Sequence, residues 1–120
     1  GIDVEDLERK VRFDALAQHA FHPNELQYWQ DLEHDADYWF RVWTTKEAVL
    51  KASGLGIRLS LNELDTRMHP NAQGGICHHP QIGHFAYQNF RLSDCMLTVA
   101  WRAAPSCVGF QFPQIHIIQH

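Results

Sequence analysis

Between Trp43 and Gly54 the chain reads W-T-T-K-E-A-V-L-K-A-S-G, which sets Glu47 and Lys51 four residues apart. On a helix this spacing puts both side chains on one face with Cβ atoms roughly 5–6 Å apart, an acid and a cation available to one anionic substrate. Lys46 borders that face. The chain has only three lysines, Lys10, Lys46 and Lys51, so two of them fall in this one segment. A second candidate group opens the chain, in G-I-D-V-E. In an extended strand, residues two apart project from the same side about 6.6–6.8 Å from one another, so Asp3 and Glu5 can converge on one cation. Carboxylates without imidazole or thiolate partners suit a hard ion such as Mg²⁺, which keeps several waters and takes substrate phosphates in its open positions. Glu47 is the natural third carboxylate if the long helix packs across that strand.

The elements that must hold these groups are legible in outline. Gly1 to Glu5 reads as a short strand, with Ile2 and Val4 alternating against Asp3 and Glu5. Leu7 to Ala20 is helix-like. His22-Pro23-Asn24-Glu25 marks a helix entry, with proline in the first turn where its missing N–H costs nothing, and that helix runs to about Leu32. A longer helix is expected from Asp35 to Ser53, its apolar positions Tyr38, Val42, Val49 and Ala52 recurring near a 3.6 period and Gly54 ending it. Leu59, Leu61 and Leu64 suggest a strand or an irregular extended segment. Met68 to Gly83, rich in Pro, Gly, Asn and His, reads as a loop with a weak strand near Ile76. Phe85–Leu92 and Cys95–Arg102 read as strands joined by a turn at Ser93-Asp94. Ala103–Gly109 is expected to be a loop and Ile115–Ile118 a final strand. Helices early and strands late predict an α+β fold, with a small antiparallel sheet packed against a long helix and shorter helices.

Composition removes several classes of function. The 120 residues are one domain's worth, and 45% hydrophobic residues can bury a real core. A net charge of −4 with no basic run argues against nucleic acid. No apolar stretch approaches the ~18 residues that a membrane span needs. Cys77, Cys95 and Cys107 are odd in number and contain no CxxC pair, which points to a reducing, cytoplasmic setting rather than disulfides or structural zinc. His78-His79 beside Cys77 invites a metal reading, although solvated loop residues are the expectation. The chain opens on Gly1 directly in a core-like strand, and is expected to be an excised piece of a longer polypeptide.

G-I-D-V-E, then F-H-P-N-E-L, then W-T-T-K-E-A-V-L-K-A-S-G resembles, in order and separation, the 4′-phosphopantetheinyl transferase superfamily, over residues 1 to about 65. The small holo-acyl-carrier-protein synthases of that superfamily carry one more residue between the Asp and the Glu. The single Val4 here, together with Trp43, is similar to the surfactin-synthetase-activating type. That type is a two-lobed pseudodimer whose second lobe opens with D-x-E, so residues 1–120 look like that C-terminal lobe alone. The resemblance implies transfer of 4′-phosphopantetheine from coenzyme A to a serine of an acyl or peptidyl carrier protein. It makes Asp3, Glu5 and Glu47 the Mg²⁺ ligands. It sets Lys51 on the pyrophosphate, lets Lys46 help hold coenzyme A phosphates, and makes Glu25 the base for the carrier serine's proton. Leu26 and Trp29 become candidates for carrier contact, and Trp43 is expected to pack. Without the first lobe the piece is expected to be inactive and to self-associate. The alternatives are a non-catalytic carrier-binding or scaffold module retaining the fold, and a generic Mg²⁺-dependent phosphohydrolase.

Overall fold

The computed structural model describes residues 1–55 and 59–103. Its elements run β1 (Ile2–Asp6), α1 (Phe13–Ala20), α2 (Pro23–Asp31), α3 (Ala36–Ser53), a 3₁₀ turn (Leu61–Glu63), β2 (Gly74–His79), β3 (Gly83–Arg91) and β4 (Cys95–Arg102). The strands form one antiparallel sheet in the order β1-β4-β3-β2. The expected α+β architecture is therefore present, and among the described residues no helix is long and apolar enough to cross a membrane.

Helix α3 forms where its ends and its apolar period agree. The Asp35 carboxylate accepts from the Tyr38 N–H at 2.9 Å, and Gly54 closes the other end at φ +73°, a conformation that costs a side-chain-bearing residue free energy. The helix lies across the inner face of the sheet. Period-2 alternation turns Met96, Thr98 and Ala100 of β4 and Phe85, Tyr87 and Asn89 of β3 toward it, all buried. Around them close Trp39, Phe40, Val42, Ala48 and Val49 of α3, Phe21 just after α1, and Trp29 of α2. One polar seam runs through this layer. Thr44 and Thr98 share a hydrogen bond of 2.7 Å, and the Asn89 amide donates to Thr45 at 2.9 Å and to Thr98 at 2.7 Å. Most buried polar groups are paired in this way, although Asn89 Oδ1 has no partner among the described residues.

Helix α1 starts at Phe13 rather than Leu7. The chain first turns, with the Glu8 N–H donating to the Asp6 carboxylate at 2.9 Å and the Leu7 N–H extending the ladder to Asp94 O at 3.0 Å. An aspartate that satisfies its own backbone competes with helix in just this way. Trp29, a candidate carrier contact, is a core residue 2% exposed, and Leu26 packs partly buried against the same core. Leu59–Leu64 holds the 3₁₀ turn instead of a strand, and Asp65 then bridges to His78. The weak strand expected near Ile76 is a full six-residue strand, β2, whose composition understates it because its inward positions are Cys77 and His79. The expected loop 103–109 lies outside the described residues beyond Ala103, as does the strand Ile115–Ile118.

Replacing Gly54 by Ala should destabilise the protein by about 1 kcal/mol, because alanine must adopt the left-handed conformation. Urea unfolding measures this, and an unchanged midpoint would show that α3 does not depend on its glycine stop.

Candidate functional site

The acidic group assembles where β1 crosses α3. Gly1 approaches the helix so closely that a Cβ would fall 2.2 Å from the Ala48 carbonyl oxygen, so the glycine of G-I-D lets the strand approach α3 one residue from Glu47. On the inner side of β1, Asp3 is buried and Glu5 half-buried, while Ile2 and Val4 face outward and are 57% and 51% exposed. The Lys51 ammonium donates to Asp3 Oδ1 at 2.8 Å and to the Ile2 carbonyl at 3.1 Å. The second oxygen, Asp3 Oδ2, is buried without a partner among the described residues. Arg9 pairs with Glu5 at 3.0 Å.

The electrostatics show that the three carboxylates feel one another. Burial pushes Glu5 upward, and the Asp3 charge adds to the effect. Arg9 acts in the opposite direction, as do the Trp43 indole N–H and Lys51. Glu47 is raised by the same two causes in the same order, with Glu5 contributing further. Lys51 is raised, chiefly by its hydrogen bond to Asp3. Desolvated like charges whose protonation is favoured are relieved by a divalent cation, and an unpartnered buried carboxylate oxygen offers it a ligand. The donor set, oxygen only, fits Mg²⁺. Among the described residues no three His, Cys, Asp or Glu side chains stand close enough to hold an ion as they are, and the Lys51 ammonium rests on Asp3 instead. Beside Glu47 opens a cleft of about 590 Å³ bounded by His19, Leu50, Ser60 and Asn62.

Glu25 and Lys46 lie elsewhere. Lys46 follows Glu47 backward by one residue, a turn of about 100° around α3, and its side chain points into the core. It is 0% exposed. Its ammonium donates to Leu61 O at 2.8 Å, to Leu64 O at 2.6 Å and to Glu25 Oε1 at 2.7 Å. Burial lowers its pKa, and the Glu25 charge opposes that shift. Glu25 Oε1 also accepts from the His22 N–H at 2.7 Å, and Oε2 accepts from the Thr66 N–H at 2.9 Å and from the Thr66 hydroxyl. The Lys46 ammonium is thus enclosed, and both Glu25 oxygens are occupied. In this structure the pair is a buried strut joining α2, α3 and residues 61–66.

Sequence reasoning missed Arg9, Thr66 and the part played by Trp43. Arg9 and Thr66 carry no motif, and their partners lie in other elements. Trp43 stacks on Trp39 with centroids 5.4 Å apart, as packing predicts, yet its N–H also serves Glu5. Strand alternation separates the Cys77-His78-His79 run: Cys77 donates inward to Phe85 O at 3.3 Å and His79 Nε2 lies 3.1 Å from Ser60 O.

Comparison with known proteins supplies the class. The 4′-phosphopantetheinyl transferase superfamily model matches residues 1–102, and the chain belongs to that superfamily. A putative 4′-phosphopantetheinyl transferase of Synechocystis sp. is 36% identical over 66 residues, 53% of this chain and 27% of that protein. The holo-[acyl-carrier-protein] synthase of Geotalea daltonii is 38% identical over 63 residues, 48% of this chain and 50% of that protein. The 4′-phosphopantetheinyl transferase Sfp of Bacillus subtilis is 30% identical over 81 residues, 63% of this chain and 34% of that protein. The likeness to Sfp supports the surfactin-synthetase-activating branch. The aligned stretch spans between about a quarter and a half of these relatives' length.

Two outcomes follow. Glu25→Gln leaves a buried ammonium unpaired and should cost about 3–5 kcal/mol of stability; a loss below about 1 kcal/mol in chemical unfolding would contradict the strut. Burial and the Asp3 charge raise both Glu5 and Glu47 above the ordinary glutamate range in the folded state. Their protonated forms therefore favour the fold, a contribution complete below the unfolded value and lost as pH rises through the raised ones. Without metal, wild-type thermal stability should fall across that window more steeply than that of Glu47→Gln, and parallel profiles would contradict it.

Proposed function

We propose that this chain is the C-terminal, metal-binding lobe of a two-lobed enzyme that transfers 4′-phosphopantetheine from coenzyme A to a serine of an acyl or peptidyl carrier protein. The observation that carries this reading is the buried, unpartnered Asp3 Oδ2 beside two carboxylates whose protonation is favoured by burial and by Asp3. Asp3, Glu5 and Glu47 hold Mg²⁺ in this reading. When bound, the ion neutralises pyrophosphate charge and orients the phosphorus for in-line attack.

The chain's own residues do the rest. Lys51, half-exposed and held at Asp3 Oδ1, exchanges that contact for a pyrophosphate oxygen and supplies a point charge. Arg9 and the Trp43 N–H hold the Glu5 carboxylate in its orientation. Glu25 and Lys46 fix residues 61–66, which continue from the wall of the cleft beside Glu47. The serine oxygen forms the new O–P bond and gives up its proton to solvent water, as the bond from phosphorus to the leaving adenosine 3′,5′-bisphosphate breaks. Exposed Ile2 and Val4 offer apolar surface for the other lobe, or for a second copy in its place.

Calorimetry with Mg²⁺, and transfer of a labelled pantetheine arm to a carrier by the longest polypeptide that contains this chain, test the reading together. Glu47→Gln should weaken Mg²⁺ binding and reduce transfer by about 100-fold or more, and residues 1–120 alone should give no holo-carrier product. Unchanged transfer in Glu47→Gln would overturn the reading. Carrier binding without transfer by the longest polypeptide would instead identify a non-catalytic module.

A further inference from the structure

The Cys77-His78-His79 run is the metal-suggestive motif that the carboxylate group leaves unused. Alternation along β2 sends Cys77 and His79 into the core and leaves His78 on the outer face, half-buried. There it stands directly opposite His84 of β3 in the ladder, also half-buried. The two imidazole rings lie with centres 4.8 Å apart and planes inclined by 52°. Among the described residues neither ring has a hydrogen-bond partner. We propose that His78 and His84 form a site for a borderline-soft divalent ion, Zn²⁺ or Cu²⁺, that ties the edge strand β2 to β3. The inference goes beyond the transferase reading and does not rest on it.

Geometry carries it. A ring nitrogen about 2.0–2.1 Å from a metal puts the ring centre about 3.2 Å away, so two imidazoles at 90–109° around one ion have centres about 4.5–5.2 Å apart. The observed 4.8 Å lies inside that range. Imidazole pairs select Cu²⁺ and Zn²⁺ over Mg²⁺, whereas the oxygen-only group at Asp3 has the reverse preference, so the two places differ in the ions they take. On the other side of β2, Asp65 bridges His78 through the backbone, and its carboxylate accepts from the Arg67 N–H at 2.9 Å. No three such side chains among the described residues are close enough to bind together, so water completes the coordination and affinity is modest. The consequence reaches the cleft: His79 next along β2 meets Ser60 O, and Ser60 bounds the cavity beside Glu47. An ion on His78 and His84 steadies the edge that carries this wall.

Two measurements on the full chain test the proposal. Substoichiometric Cu²⁺ should broaden the ring signals of His78 and His84 in NMR before those of His19, His22, His34 or His69. Zn²⁺ titration should show His78→Gln and His84→Gln each weakening binding about ten-fold or more, while Glu47→Gln leaves Zn²⁺ affinity unchanged. Broadening that begins at other histidines, or wild-type Zn²⁺ affinity in both histidine variants, would overturn it. The Cu²⁺ experiment uses unaltered protein, so it decides the matter even if a variant folds poorly.

Discussion

Strand β1 is held over helix α3 by one contact between charges, Lys51 to Asp3 at 2.8 Å, and the arrangement of the acidic group follows from it. Lys51 is half-exposed and Asp3 is buried, so the pair is open to solvent on the lysine side alone. Bringing Asp3 across the helix puts it near Glu47, and the strand's own period brings Glu5 with it. Three carboxylates then share a partly dry space with one ammonium and the Arg9 guanidinium, and two of them respond by favouring their protonated forms. In the proposed function, a divalent cation would relieve this repulsion.

Beneath this surface group lies a different use of charge. The Lys46–Glu25 pair is fully enclosed and every strong donor or acceptor on it is occupied. Such a pair contributes little net stability compared with an apolar packing of the same shape, but it cannot be half-removed without leaving a buried charge. Its value is geometric: it fixes the start of α2, the middle of α3 and residues 61–66 against one another. Lys46 and Glu47 are adjacent in sequence, yet a 100° turn of helix gives one to the core and the other to the site.

Much of this was legible in the residues. The period and caps of α3 identify its ends at Asp35 and Gly54, and the entry of α2 is written in His22-Pro23-Asn24-Glu25. The D-x-E spacing gives the shared face of Asp3 and Glu5. What sequence could not supply are contacts between distant elements. Glu25 and Thr66 are 41 residues apart, and nothing local says that one accepts from the other. Strand β2 is legible only as a weak strand near Ile76, because its alternation is carried by Cys77 and His79 rather than by aliphatic residues, and α1 begins later than its pattern suggests because Asp6 turns the chain first. Motif position suggests a base for Glu25 and coenzyme A contact for Lys46; their burial against each other is something motifs do not encode.

The central claim is that Asp3, Glu5 and Glu47 surround a single divalent ion at the crossing of β1 and α3. Crystals grown with Mn²⁺ in place of Mg²⁺ would show it by anomalous scattering. The account predicts one strong peak bonded to Asp3 Oδ2 and to both glutamates, with the Lys51 ammonium moved off Asp3. Anomalous density absent from this crossing at saturating Mn²⁺, with Lys51 still seated on Asp3, would contradict it.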